Sequence, residues 1–389
     1  MRFSLLDPLR GLAALWVFAY HYDFATVVRE SLPFFHAILK QGQLGVPMFF
    51  VISGYCLAAA AIGSLERNES SWQFLKRRVR RIYPTYWCAI LVAVAVPFVL
   101  ALLTAVRDGN YTPPSPALRT NGFLSYSFSD WLAVASLLRV FDASAGADSL
   151  QSRFNTINAV YWTLAIEVQF YFVVTAAKLA RKRFHLVLAL VALAGFASAR
   201  LFPEVWNTGL FLPYWPQFWF GTVVCWLLQH GRHPTAIFGR RVKPIGIGVT
   251  ALLVCGFLWQ VHLGKSIDET IFAAGFAVAL YFSHTWDATF RECLTQSRWR
   301  GVRAMLGVSV AVGAMSYSIY LLHGRVRFVS MQWLRQVFPA DSAIIDCGVF
   351  VLTCGFCWIF YRYCERPFAS SNKRKADTAT TVSAFPTEK

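Results

Sequence analysis

The feature that most constrains this chain is a recurrence of long apolar segments along its whole length. A helix needs about 20 apolar residues to cross the hydrocarbon core of a bilayer. Only 15% of the 389 residues are charged, whereas soluble domains average about 25%. The sequence therefore predicts an all-α polytopic membrane protein with about ten transmembrane helices in one bundle. The predicted spans are residues 8–28, 44–63, 82–106, 159–178, 184–201, 209–229, 244–263, 268–286, 304–328 and 342–363.

The net charge of +17 is distributed in alternate loops and does not form the continuous patch that would indicate nucleic-acid binding. Examples are FLKRRVRRIYP at 74–84 and KLARKR at 178–183. The positive-inside rule places these loops and both termini in the cytoplasm. An exception is the stretch at 325–335, whose three arginines fall on the predicted external side. The predicted location is the inner, or plasma, membrane.

Residues 1–368 are predicted to form one transmembrane domain, and residues 369–389 a disordered cytoplasmic tail. The first apolar segment has the position of a signal peptide. Arg10 interrupts it and nine more spans follow, so we interpret it as a membrane helix. The nine cysteines are interpreted mainly as small buried residues, and no metal site is expected.

Arg10 and His21 stand eleven residues apart in this first span, LRGLAALWVFAYH. On an α-helix this spacing is three turns plus about 20°, so both side chains share one face, about 16 Å apart along the axis. Each has a structural interpretation: Arg10 as an anchor that reaches the headgroups, and His21 as a histidine bonded to a neighbouring helix. Ionisable groups deep in a span are costly, so two on one face favour a functional site.

Two other predicted spans carry polar groups at a similar depth. Ser53 and Glu167 each lie about 12 Å into a helix that enters from the external side. Counting along the first helix puts His21 at a comparable level. Because an unpartnered buried carboxylate is costly, Glu167 is expected to have a partner, and His21 is the best-placed candidate.

A basic cluster, KRRVRRIYPTYW, stands at the predicted inner face. Guanidinium groups bind phosphate through paired hydrogen bonds, so Arg77, Arg78 and Arg81 could hold a phosphate-bearing ligand beside Arg10. The alternative is that these residues only retain the loop in the cytoplasm or contact anionic lipid.

Together these segments resemble the acyltransferase-3 family of integral membrane acyltransferases. The resemblance rests on LRGLAALWVFAYH, VPMFFVISGYCL, FLKRRVRRIYPTYW, VYWTLAIEVQFYF, MSYSIYLLH and ERPF, which occur in family order over nearly the whole chain. One departure is LDPLRG, where the family often has LDGLRG; Pro8 is compatible with the first turn of a helix. The resemblance implies acyl transfer from acyl-coenzyme A, most often acetyl, with Arg10 and His21 essential. It also leads us to expect no fused extracellular domain.

The implied chemistry assigns a role to each candidate. The phosphates of coenzyme A would bind Arg10 and the basic cluster, and neutral His21 would take a proton from an acceptor hydroxyl. Glu167 would fix the tautomer of His21. Ser53 could donate to the oxyanion or only pack, and a covalent acyl-enzyme stays open. Further substrate or oxyanion candidates lie within the motifs: Trp162, Tyr317 and His323.

The expected partners are the lipid bilayer and a hydroxyl acceptor, such as the sugar of a surface polysaccharide or glycolipid. The sequence does not identify the acceptor or the oligomeric state. One alternative function is a proton-coupled transporter or flippase that uses Arg10, His21 and Glu167 as a relay. Another is a lipid-binding scaffold without catalytic activity.

Overall fold

The fold is helical throughout the part of the chain that the structure describes. The structure is a computed structural model, and it describes residues 3–22, 24, 26–109, 122–146, 149–336, 338 and 342–369. The helices are α1 (Leu6–His21), α2 (Thr26–Ser31), α3 (Pro33–Leu39), α4 (Gly45–Glu66), α5 (Ser71–Asp108), α6 (Phe128–Ala135), α7 (Tyr161–Leu179), α8 (Phe184–Leu201), α9 (Trp215–Gln229), α10 (Pro234–Phe238), α11 (Val242–His262), α12 (Glu269–Ser283), α13 (Asp287–Gln296), α14 (Arg300–Ala314), α15 (Ser316–Leu334) and α16 (Ala343–Phe360).

The outer faces of the long helices are strongly apolar. Leu91, Leu252 and Val351 are each at least 70% exposed, which in water would leave a large unfavourable apolar surface. Within the described ranges, five helical stretches are long and apolar enough to cross a membrane, or six if the bent pair α14–α15 is one span. The chain is an all-α polytopic membrane protein, as predicted. The count of ten spans and the cytoplasmic position of both termini stay predictions, and 370–389 of the predicted tail lie outside the described residues.

Helix α5 extends well beyond the predicted span 82–106. It begins at Ser71, after Ser70, whose Oγ accepts a hydrogen bond from the Gln73 backbone N–H at 3.2 Å. Such a cap stabilises the first turn, and the arginines that follow are good helix formers. The 38 residues of α5 span about 57 Å, against about 30 Å for the hydrocarbon core. The basic cluster is therefore part of a helix and not of a loop.

The predicted span 304–328 is wrong as a single straight helix. The chain breaks at Met315, and α14 and α15 meet at an angle of 73°. Just before the break, Gly313 lies directly against the backbone of Asp7, so that α14 packs tightly on the start of α1. The bend brings the first residues of α15, Ser316 and Tyr317, to the same cavity that Arg10 lines.

Helix α4 packs antiparallel to α1, and it begins halfway along it. A Cβ on Gly45 would lie 2.7 Å from both the Ala13 carbonyl oxygen and the Val17 side chain. The preceding turn, at Gly42, packs against the Trp16 backbone. Residues of α4 that follow Gly45 therefore lie beside the first half of α1. His21, at the end of α1, lies beyond the first residue of α4.

Glycines also set the contact between α4 and α9. A Cβ on Gly221 would overlap the Val51 carbonyl oxygen, and one on Gly54 would overlap the Phe218 carbonyl oxygen. We expect Gly221→Ala to destabilise the fold by about 1–3 kcal/mol, because the two helices must move apart. Thermal unfolding in detergent measures this effect. Gly256→Ala is the matched control, since a Cβ there meets nothing within 4 Å; equal melting temperatures for the two variants would contradict the prediction.

Candidate active site

Arg10 and three neighbouring helices enclose a small cavity inside the bundle, with a mostly apolar wall that carries a few polar groups. Its volume is about 60 Å³, enough for a few water molecules. Arg10 comes from α1, Ser53 from α4, Glu167 from α7 and Tyr317 from α15, so four segments distant in sequence meet here. The complete lining is Arg10, Val46, Phe49, Phe50, Ser53, Thr163, Leu164, Glu167, Ser316, Tyr317 and Tyr320.

Glu167 is the centre of a hydrogen-bond network at this cavity. Its Oε1 accepts from the Ser53 hydroxyl at 2.7 Å and from the Tyr171 hydroxyl at 2.8 Å. The structure therefore brings together Ser53 and Glu167, which the sequence predicts to lie at the same depth in the membrane. Tyr171 was missed, although its position four residues after Glu167 puts both side chains on one helix face.

The predicted hydrogen bond between His21 and Glu167 is absent from the described part of the structure. The reason is the offset between helices: α4 begins beside Ala13 and Val17, so Ser53 and Glu167 lie at the level of Arg10. His21 is about 16 Å further along α1. The structure thus shows no direct hydrogen bond through which Glu167 would orient His21, and Arg10 is the charged residue of α1 that lines the cavity beside Glu167.

The ring of His21 contacts a second histidine instead. The ring centroids of His21 and His323 are 5.3 Å apart, with their planes inclined by 32°. His323 lies on α15 and is fully buried, whereas His21 is half-buried. The hydroxyls of Thr163 and Tyr320, which both line the cavity, are 2.6 Å apart, and the Tyr320 ring lies 6.0 Å from that of His323. Polar groups therefore continue from the cavity to the histidine pair along α15.

The three candidate arginines of the basic cluster have different surroundings. Arg81 is half-buried, and its positive charge interacts with the carboxylates of Glu167 and Glu365 and with Tyr171. Arg78 is also half-buried, and its guanidinium lies over the Phe74 ring, 5.4 Å from the ring centroid. Arg77 instead is exposed and forms an ion pair with Glu69. The cluster thus contains two half-buried arginines, one of them in electrostatic contact with Glu167, and one exposed arginine that pairs at the surface.

The remaining candidates divide between the cavity and the packed interior. Tyr317 lines the cavity and donates a hydrogen bond to the Ile82 carbonyl oxygen at 3.3 Å. Trp162 packs against Tyr214, with ring centroids 5.3 Å apart. Across the described ranges, no group of three or more His, Cys, Asp or Glu side chains could hold a metal ion.

We expect Glu167→Ala to lower stability by about 1–3 kcal/mol, because two buried hydroxyls lose their acceptor. Glu167→Gln should recover most of this loss, since its amide oxygen can still accept. Thermal unfolding of both variants in detergent tests the expectation. A wild-type melting temperature for Glu167→Ala would show that the network contributes little.

The chain matches the acyltransferase-3 family, described as an acyltransferase domain, over residues 4–362. Peptidoglycan O-acetyltransferase OatA of Listeria monocytogenes is 30% identical over 54% of this chain, and the match spans 29% of that protein. BcsY of Komagataeibacter xylinus, provisionally named a membrane-bound transacylase, is 25% identical over 82% of this chain and 71% of its own length. No solved structure matches the chain. The family match covers the helices that form the cavity and the histidine pair, and the chain belongs to the acyltransferase-3 family.

Proposed function

We propose that this chain is a multi-pass O-acyltransferase of the plasma membrane. It moves an acyl group, in our proposal acetyl, from cytoplasmic acetyl-coenzyme A to a hydroxyl of an extracytoplasmic or membrane-associated acceptor. The observation that carries the proposal is the row of polar side chains along α15, here called the polar path, which leads from the cavity to the histidine pair. The path begins at Arg10 and the cavity, passes the Thr163–Tyr320 pair, and ends at His21 and His323.

The inner end of the path suits the phosphates of the coenzyme. Arg78 and Arg81 are half-buried on the helix next to the site, and Arg10 lines the cavity. Guanidinium groups bind phosphate oxygens through paired, charge-assisted hydrogen bonds. Arg77 contributes positive charge at the surface end of the basic cluster, although it already forms an ion pair with Glu69. Since the cavity is small, the side chains that line it would have to move to admit the pantetheine arm.

Glu167 supports the inner end of this path and does not act on His21. Its carboxylate holds the Ser53 and Tyr171 hydroxyls in place and lies in the field of Arg81. The opposite charges reduce the cost of keeping both groups away from water. In this proposal, Ser53 shapes the cavity through that hydrogen bond.

His21 is the general base at the outer end. A neutral imidazole nitrogen takes the proton of the acceptor hydroxyl while the hydroxyl oxygen attacks the thioester carbonyl carbon. The carbon–sulfur bond then breaks, and the coenzyme thiolate leaves and receives the proton from His21. The products are the ester and the free thiol, so no net proton is gained or lost.

The acceptor class rests on the relatives. OatA is named for acetylation of peptidoglycan, and BcsY is provisionally named a membrane-bound transacylase. We propose by analogy that this chain acylates a sugar hydroxyl of a surface polysaccharide or a lipid-linked glycan. Its oligomeric state does not enter the proposal.

Inside-out membrane vesicles from a strain that expresses the chain provide the test. Radiolabelled acetyl-coenzyme A, added to the exposed cytoplasmic face, should label membrane or lumenal material. Mild alkali should release that label as acetate, because it cleaves esters and leaves amides intact. Vesicles without the chain are the control, and equal alkali-labile label in both would refute the proposed function.

A further inference from the structure

His323 is a fully buried histidine whose position the proposed reaction does not yet explain. It lies on α15, its exposed fraction is 0%, and its ring faces that of His21 at a centroid distance of 5.3 Å. Phe18 and Tyr320 contact the same imidazole, with centroids 5.7 Å and 6.0 Å away. The ring is therefore held in a fixed place by its neighbours.

The hydrogen bonds of His323 determine which of its nitrogens carries the proton. Nδ1 lies 3.0 Å from the Ile319 carbonyl oxygen. A carbonyl oxygen can only accept, so Nδ1 must donate. In the neutral ring Nε2 is then an unprotonated acceptor. This Nε2 is buried and has no hydrogen-bond partner in the described part of the structure.

An unpartnered acceptor in a buried position is unfavourable, so its persistence needs a reason. The imidazole of His21, which also carries an N–H group, is the polar ring beside it. The terminal torsion of a histidine side chain is soft. A rotation of His21 could therefore bring its N–H toward Nε2. Catalytic hydrogen bonds are often long without substrate and shorten when it binds.

We propose that His323 is a positioning residue for His21. Its Nε2 accepts the N–H of His21 and so selects the tautomer whose other nitrogen is free to take the proton of the acceptor hydroxyl. When that proton arrives, the imidazolium of His21 still donates to Nε2. This inference rests on the proposed function, because it assumes that His21 is the base.

The test compares two substitutions of His323 in the full chain in nanodiscs. His323→Phe keeps a ring against Phe18 and removes the acceptor, whereas His323→Gln keeps a side-chain acceptor. We expect His323→Phe to lower kcat about tenfold or more with an unchanged KM for acetyl-coenzyme A. His323→Gln should recover a large part of the rate. Leu322→Val, a conservative change at a neighbouring buried position, is the packing control and should retain the wild-type kcat.

A readout that does not depend on activity separates this inference from the proposed function. The ¹⁵N chemical shifts of labelled histidine report the tautomer of His21, and His323→Phe should change them while His323→Gln preserves them. The inference is wrong if His323→Phe keeps both the wild-type kcat and the wild-type tautomer. It is also wrong if the Phe, Gln and Leu322→Val variants lose kcat equally. Absence of acetyl transfer by the wild-type chain would instead refute the proposed function, and the nitrogen shifts would still test the contact.

Discussion

His21→Ala is expected to abolish detectable acetyl transfer. General-base assistance contributes about 10²–10⁴-fold to a rate, and Ala removes the only ring nitrogens at this position. Binding of coenzyme A should persist, because Arg10 lies about 16 Å away along α1 and the other arginines proposed to hold its phosphates lie on a different helix, α5. Transfer of radiolabelled acetyl groups and calorimetric titration with coenzyme A measure the two quantities separately.

The control for His21→Ala is His262→Ala, which changes an exposed histidine at the end of α11. This variant should transfer acetyl groups at the wild-type rate. A folded His21→Ala protein that still works at a near wild-type rate would overturn the assignment of the base. It would also reopen the transporter interpretation of the charged residues on α1.

Replacing Arg78 and Arg81 together with Ala should raise the KM for acetyl-coenzyme A roughly 100-fold. A charge-assisted hydrogen bond contributes about 1.5–3 kcal/mol, so the loss of one such contact corresponds to roughly 10- to 150-fold in KM. The value of kcat at saturation should change much less, because His21 is untouched. Initial rates over a range of acetyl-coenzyme A concentrations give both constants.

Arg80 offers the matched control for the double variant. It belongs to the same basic stretch of α5 but is exposed, whereas Arg78 and Arg81 are half-buried. Arg80→Ala should therefore alter KM little. Because Arg81 also faces Glu167, the single change Arg78→Ala tests phosphate binding with the carboxylate network intact. An unchanged KM in both the double and the single variant, each folded, would refute the role of these arginines.

The sequence predicted the membrane class and several members of the site, because both depend on local patterns. Apolar segments identify helices directly. Ser53 and Glu167 lie at equal depths in two predicted helices that enter from the same side. Their hydrogen bond of 2.7 Å agrees with that count. The comparison worked because any error in the position of the membrane boundary affects both helices alike.

The level of His21 could not be predicted in the same way. Its depth was counted from the opposite boundary, so the result depended on where α4 begins relative to α1. That offset is set by close contacts at Gly42 and Gly45, which no apolar pattern reveals. The bend at Met315 was missed for a related reason: the apolar pattern of 304–328 predicts one span, and the close packing of Gly313 on Asp7 beside the break is a tertiary contact. His323, which the bend helps to place, was therefore not recognised as the neighbour of His21.

The uninterrupted course of α1 from Leu6 to His21 has a consequence for donor selection. Between Arg10 and His21 there is no proline, and Gly11 is the only glycine, so this segment behaves as a stiff rod of fixed length. In the proposed reaction, this segment fixes the distance between Arg10, which binds the phosphates of the donor, and His21, beside which the donor's carbonyl carbon must lie. A donor whose carbonyl carbon is much closer to its phosphates than in a coenzyme A thioester, such as acetyl phosphate, would then be bound without reacting. The enzyme would thus distinguish donors by length alone, before any contact with the acyl group itself.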